Sequence, residues 1–195
     1  ITTRLVGSEM CIRDISGGIR IFAGRKTNLM EEKNKAWKTV SSKYLFRRPW
    51  LTVRCEDMLL PNGNHIPEYY ILEYPDWVNT IAITKDGQFV FVRQYRPGIE
   101  RTCYELCAGV CEKEDASPLV SAQRELWEET GYGKGNWQEY MVISANPSTH
   151  TNLTYCFLAT DVELIDHQHL EATEDITVHP VSYTHLRAHE TRSNL

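Results

Sequence analysis

A mixed β-sheet carrying few helices, an α/β or α+β sandwich, is the fold class this sequence predicts. Three observations point there. Short runs rich in β-branched and aromatic residues recur from residue 50 onward, turn signals of Pro, Asn, Asp and Gly separate them, and only one long stretch carries a helical period. The 195 residues, 42% hydrophobic and 10% aromatic, suffice for one substantial core with a small appended element but not for two large domains.

Taken in order, residues 30–43 (MEEKNKAWKTVSSK) read as a polar approach segment. Residues 50–59 and 66–74 follow as strands, split by the turn Pro61-Asn62-Gly63-Asn64. Residues 79–84 and 88–96 flank Lys85-Asp86-Gly87, in which Asp-Gly is a strong hairpin dipeptide, and Pro97-Gly98 closes the second strand. Glu105-Leu106-Cys107-Ala108-Gly109 ends another strand. The helix covers 118–130: Ser117 suits the N-cap, Pro118 the first turn, and Gly131 the left-handed residue that stops it. Leu119, Ala122 and Leu126 form its apolar stripe. Residues 138–144, 153–160 and 176–181 complete the strands, and no internal repeat interrupts them.

Charge excludes some functions. With Lys plus Arg at 21 against Asp plus Glu at 26, the net charge of -5 gives little pull toward nucleic acid or an anionic membrane, so neither is an expected partner. No apolar run approaches the ~20 residues of a membrane span, no stretch reads as a signal peptide, and a soluble, cytoplasmic protein is expected. The six cysteines, at 11, 55, 103, 107, 111 and 156, fit reduced thiols. Cys103, Cys107 and Cys111, four apart, match no zinc or cluster spacing and are expected as small buried hydrophobes. His167 and His169 are expected to face water, and His185 and His189 have zinc-ligand spacing only inside a suspect end.

Residues 1–14 and 182–195 carry no sustained period and resemble translations of sequencing-adapter read-through, so both are expected to be artefactual tails. The natural chain is then expected to run past Val181, with a C-terminal helix of the domain lying beyond it.

The chemistry sits in the helix, at Arg124-Glu125-Leu126-Trp127-Glu128-Glu129-Thr130-Gly131-Tyr132. At about 100° per residue, Glu125, Glu128 and Glu129 share roughly one third of the helix circumference. Three like charges there repel unless a cation lies among them, and a hard divalent ion with oxygen ligands is the natural remedy. Arg124 can hold one carboxylate in place. Upstream, Gly109 lets backbone carbonyls approach such an ion.

Residues 108–132 resemble the signature of the Nudix hydrolases, GX5EX7REUXEEXGU, where U is a bulky apolar residue. The second half matches at every specified position, with Leu126 and Tyr132 as the U residues. The first half departs, because Gly109 and Arg124 have fourteen residues between them where the pattern has thirteen. An inserted loop residue accounts for this cheaply, and Glu112, Glu114 or Asp115 stands in for the loop glutamate, or none does. The order of hairpin, Arg93-Gln94-Tyr95-Arg96-Pro97, box, Pro147 loop and Phe157-Leu158-Ala159 is similar to the ADP-ribose and nucleotide-sugar pyrophosphatase branch, with Cys107 where that branch usually has proline.

The resemblance implies a Nudix-type α/β/α sandwich over residues 76–181, preceded by a small antiparallel β element over 15–75 that helps form a homodimer. It implies a metal-dependent pyrophosphohydrolase that cleaves ADP-ribose or a nucleotide sugar to a nucleoside monophosphate and a phosphorylated product. Mg²⁺, or Mn²⁺ in its place, would be held by Glu125, Glu129, Glu128 and the Ala108 carbonyl. Glu128 and Glu129 would be catalytic, with Arg124 orienting the carboxylates. Trp50, Arg96, Glu105 and His150 are the candidates for substrate binding. The loop position that often supplies the base in this branch falls on Asn152, which leaves Glu128, His150 or Glu174 for that role. A non-catalytic nucleotide-binding or sensor module is the alternative.

Overall fold

The computed structural model describes residues 12–13, 19–20 and 35–190, with side chains over 35–186. The chain divides into two compact units, residues 1–75 with 143–153 and residues 76–142 with 154–195.

The first unit holds β1 (Ile12–Arg13) and β2 (Ile19–Arg20), paired antiparallel with each other, and a three-stranded antiparallel sheet in the order β3-β4-β5. Its strands are β3 (Lys38–Arg48), β4 (Leu51–Leu59) and β5 (His65–Glu73). The β4–β5 turn forms as its sequence predicts, with Gly63 at φ 85° and its amide bonded to the Leu60 carbonyl at 2.9 Å. The strand β3 takes up residues 38–43 of the polar approach segment expected over residues 30–43, whose first five residues lie outside the described ones. It is an edge strand exposed along its whole length, and two bulges break the alternation that would have announced it. Residues 143–153 return to β5, where Leu72 bonds Thr149 at 2.8 Å and accepts from Thr151 at 3.1 Å.

The second unit is a mixed sheet in the order β12-β7-β8-β6-β11-β10, with β9 added on β11. Its strands are β6 (Trp77–Thr84), β7 (Gln88–Arg96), β8 (Arg101–Val110), β9 (Tyr132–Gly133), β10 (Asn136–Ile143), β11 (Thr154–Leu164) and β12 (Thr177–Ser182). The pair β6–β11 is parallel, while β6–β8, β7–β8 and β7–β12 are antiparallel. Central position shows in β6, where Val78, Thr80, Ala82 and Thr84 point inward and are buried.

One helix, α1 (Pro118–Thr130), covers this sheet with the caps its sequence predicts. Ser117 accepts from the Val120 amide at 3.4 Å, and Gly131, at φ 74°, returns its N–H to Trp127 at 2.8 Å. Of the predicted stripe, Ala122 and Leu126 are fully buried and Leu119 packs beside them. Leu126 joins Ala82, Val90, Cys107, Ala159 and Val162, so the helix is fixed against four strands. A second helix, α2 (Tyr183–Glu190), follows β12 directly in the stretch that showed no period, and the hydroxyl of Ser182, the last residue of β12, meets His185 Nδ1 at 2.7 Å. No helix among the described residues is long and apolar enough to cross a membrane. Cys55, Cys103, Cys107, Cys111 and Cys156 are free thiols; Cys107 is buried, Cys103 and Cys111 are half-buried, and Cys11 lies outside the described residues.

Candidate functional site

Sheet packing sets the last turns of α1 against the end of β8. Because Leu126 is anchored in the core, Glu125 and Glu129 on the adjacent stripe turn toward the Cys107-Ala108-Gly109 backbone. A Cβ built on Gly109 would overlap the Glu125 carboxylate, so glycine there makes room for an acid. Gly109→Ala is therefore expected to displace Glu125 by about an ångström and, through that, to weaken divalent-cation binding about 10–100-fold, measured by calorimetry beside a urea melt.

Arg124 does more than hold one carboxylate. Its Nη1 donates to Glu125 at 3.0 Å and to Glu128 at 2.9 Å, while Nε and Nη2 fork onto Asp115, Nη2 at 3.0 Å. Nη2 also donates to the Val110 carbonyl at 3.0 Å, tying α1 to the strand end. Sharing one nitrogen fixes Glu125 and Glu128 on the same side of the helix, as their spacing predicts. Of the three acids left open for the displaced loop position, Asp115 makes this fork. Glu112 comes only to 3.9 Å of Arg124, and Glu114 is exposed. The Arg124 guanidinium holds the Asp115 carboxyl below its ordinary range.

Glu129 sits differently. It is 4% exposed, accepts from the Ala108 amide at 3.3 Å and from the Cys107 thiol, and receives no bond from Arg124. Burial pushes its carboxyl up to about 7, the Cys107 bond works against that rise, and the Glu125 charge adds to it. Burial likewise raises Glu125, partly offset by Arg124, with Glu128 and Glu174 adding to the rise. An acidic pocket in which one buried carboxylate accepts no hydrogen bond from a cation, and feels Arg96 only at a distance, is a donor set suited to a hard divalent ion. Glu125, Glu128 and Glu129 are the residues that could hold one. Ala108 lies beside them, contributing its N–H to Glu129.

The remaining candidates fall in both units. Arg96 and Glu105 pair with each other, with bonds of 3.0, 3.0 and 2.7 Å, and Gln94 adds a third donor to Glu105 at 3.3 Å. In the first unit, Trp50 is 76% exposed, and the His150 ring lies 5.2 Å from Tyr74 with its Nδ1 buried and without a hydrogen-bond partner. Asn152 is buried there with Oδ1 likewise unpartnered. Glu174 is exposed on the loop before β12 and acts electrostatically on both Glu125 and Glu129. Gln168 went unnoticed in the sequence: its amide donates to the Glu129 carbonyl at 2.6 Å and the Ile176 carbonyl at 3.2 Å. A lone glutamine between two histidines carries no periodic signal that could have singled it out.

Comparison with known proteins adds four findings. Residues 37–72 match the model for the nucleoside diphosphate sugar hydrolase N-terminal domain, and residues 74–193 match the NUDIX domain. The chain is 31% identical over 147 residues to an ADP-ribose pyrophosphatase of Bacillus subtilis (strain 168), covering 75% of this chain and 78% of that one. It is 32% identical over 122 residues to a methanol dehydrogenase activator of Bacillus methanolicus, covering 63% and 65% of the two chains. The crystal structure of an ADP compounds hydrolase superposes with a TM-score of 0.70 at 20% identity, over 82% of this chain and 85% of that one, a likeness of fold.

Proposed function

The chain belongs to the Nudix hydrolases, and from that membership we propose that it cleaves the pyrophosphate of ADP-ribose or a related nucleotide sugar, yielding a nucleoside monophosphate and a sugar phosphate. The observation that carries this reading is the acidic pocket of α1, in which buried Glu129 lies beside Glu125 with no bond to Arg124. Glu125, Glu128 and Glu129 would hold Mg²⁺, or Mn²⁺ in its place, and Ala108, whose N–H already reaches Glu129, would add its carbonyl. When bound, such ions supply charge neutralisation of the pyrophosphate and a lowered water pKa. Arg124 keeps Glu125 and Glu128 oriented, and Asp115 keeps Arg124 oriented.

Glu174 is the proposed base. Glu128 is tied to Arg124 at 2.9 Å, whereas Glu174 is exposed on the loop before β12, acts electrostatically on both Glu125 and Glu129, and accepts no bond from Arg124. Glu174 takes a proton from water as the water oxygen bonds to phosphorus in line, and the bridging P–O bond opposite breaks. Glu174→Gln is expected to lower kcat by about 10²–10⁴-fold while Mg²⁺ affinity, read by calorimetry, changes little. An unchanged kcat would return the role to Glu128 or His150. Incubation with ADP-ribose and Mg²⁺ should release AMP and ribose 5-phosphate in equal amounts; neither product forming would reject the hydrolytic reading.

For recognition, the open Trp50 ring is suited to stack on a nucleobase, while the Arg96–Glu105 pair offers a rigid guanidinium edge to phosphate or sugar. His150 binds phosphate or closes its loop. A homodimer is supported by β3, the edge of its sheet among the described residues, whose Val40, Tyr44, Leu45 and Phe46 are exposed. Sedimentation should give the mass of two chains, and Leu45→Lys with Phe46→Lys should halve it. Free thiols at all five described cysteines agree with a cytoplasmic setting.

A further inference from the structure

Away from the acidic pocket, Asp166, His167 and His169 gather three ligand atoms within 4.8 Å of one another. Asp166 Oδ1 lies 2.7 Å from His167 Nδ1, and Oδ2 lies 3.0 Å from His169 Nε2. Ligands around a tetrahedral ion with bonds of 2.0–2.2 Å are about 3.4 Å apart, so a small opening of the cluster admits one. The sequence led us to expect both imidazoles in water; His167 is indeed exposed, whereas His169 is half-buried and its ring stacks on Trp127 at 4.1 Å.

The backbone holds this cluster against the carbonyl end of α1. Ile165 and Asp166 donate to the Gly131 carbonyl at 3.0 and 3.1 Å, and His169 donates to Glu128 at 2.8 Å. The Gln168 side chain fills the gap between, on the Glu129 carbonyl. A Cβ on Gly131 would collide with the Asp166 carbonyl, so the glycine that ends the helix also permits the docking. Helix carbonyl ends favour cations, and two imidazoles with one carboxylate favour borderline ions over Mg²⁺.

We propose that Asp166, His167 and His169 form a second metal site, taking Zn²⁺ or a similar imidazole-preferring divalent ion, with water in the outward positions. An ion there pins the segment leading to Glu174 onto the last turn of α1. The site does not depend on the hydrolytic reading, because none of its ligands belongs to the acidic pocket.

Titrating the full chain with Co²⁺ in excess Mg²⁺ tests it. Mg²⁺ saturates the carboxylates, and Co²⁺ reports imidazole ligation by its visible absorption. One Co²⁺ per chain is expected, with quenching of tryptophan fluorescence that Trp127→Phe removes. Asp166→Asn with His169→Gln should weaken binding at least about tenfold, while His185→Gln with His189→Gln leaves it unchanged. Unaltered binding in the first double variant, loss in the second, or no Co²⁺ bound by the native chain would each overturn the proposal.

Discussion

Glu129→Gln is expected to abolish metal-dependent hydrolysis and, in the same molecule, to stabilise the metal-free fold. The two effects share a cause. Burial holds the Glu129 carboxyl at about 7 in the folded chain, against an ordinary value of 4.5. A carboxyl raised by folding binds its proton more tightly in the native state. Its favourable contribution is therefore complete below about pH 4.5 and lost as pH rises through about 7. At pH 8 the ionised group costs on the order of 3 kcal/mol, since each pKa unit is worth about 1.4 kcal/mol. Glutamine removes the charge and retains an oxygen for the Ala108 amide. Urea melts without metal should show the variant more stable at pH 8 and equal to the native chain near pH 4. Turnover should fall on the order of 10³-fold, about 4 kcal/mol of transition-state stabilisation. A variant that loses turnover without gaining stability at pH 8 would place the Glu129 charge outside the buried pocket.

That pairing also explains why an acid can sit in so poor a place for a charge. A destabilised carboxylate is one whose ionisation is rewarded when a cation arrives, so metal affinity should increase as pH rises toward 8. Glu125 works in the same direction through burial, although Arg124 already relieves part of its cost.

Much of this site was legible beforehand because it rests on one regular element. Ser117, Pro118 and Gly131 fixed the two ends of α1, and the 3.6-residue period then placed Glu125, Glu128 and Glu129 without reference to anything else. What the period could not give was depth. Glu128 and Glu129 are neighbours in sequence, yet only Glu129 is buried, because its turn lies under the β8 backbone. Asp115 stayed one of three options because loop residues carry no period, and only the reach of Arg124 distinguishes it from Glu112. The strand β3 was hidden by its own chemistry: KTVSSKYLFRR places polar residues on both faces of an exposed edge, where no buried face demands alternation. The helix α2 lacked a signal for a similar reason, since its hydrophobic residues are too few to trace a stripe.

Arg124→Met should act in the opposite sense to Glu129→Gln on the metal-free fold, lowering stability by about 3 kcal/mol at neutral pH, as expected when one partner of a largely buried ion pair is removed. Asp115, Glu125 and Glu128 would then share a partly dry pocket with no cation. Asp115 supplies the pH signature. Its carboxyl is depressed by Arg124, so its contribution is present above the ordinary value of 3.8 and is lost as pH falls through the lower folded value. The gap between native and variant chains should therefore be wide at pH 7 and close below about pH 4. Lysine should not rescue it. Arg124 spans Asp115, the Val110 carbonyl, Glu125 and Glu128 with three separate nitrogens, and a single ammonium cannot reach all four. Saturating Mg²⁺ should return more thermal stability to Arg124→Met than to the native chain, because the incoming ion meets carboxylates that nothing else neutralises. Turnover should still fall about 10–100-fold, the usual penalty for losing the support behind metal ligands. If Mg²⁺ stabilised both chains equally, Arg124 and the ion would not be sharing the same carboxylates.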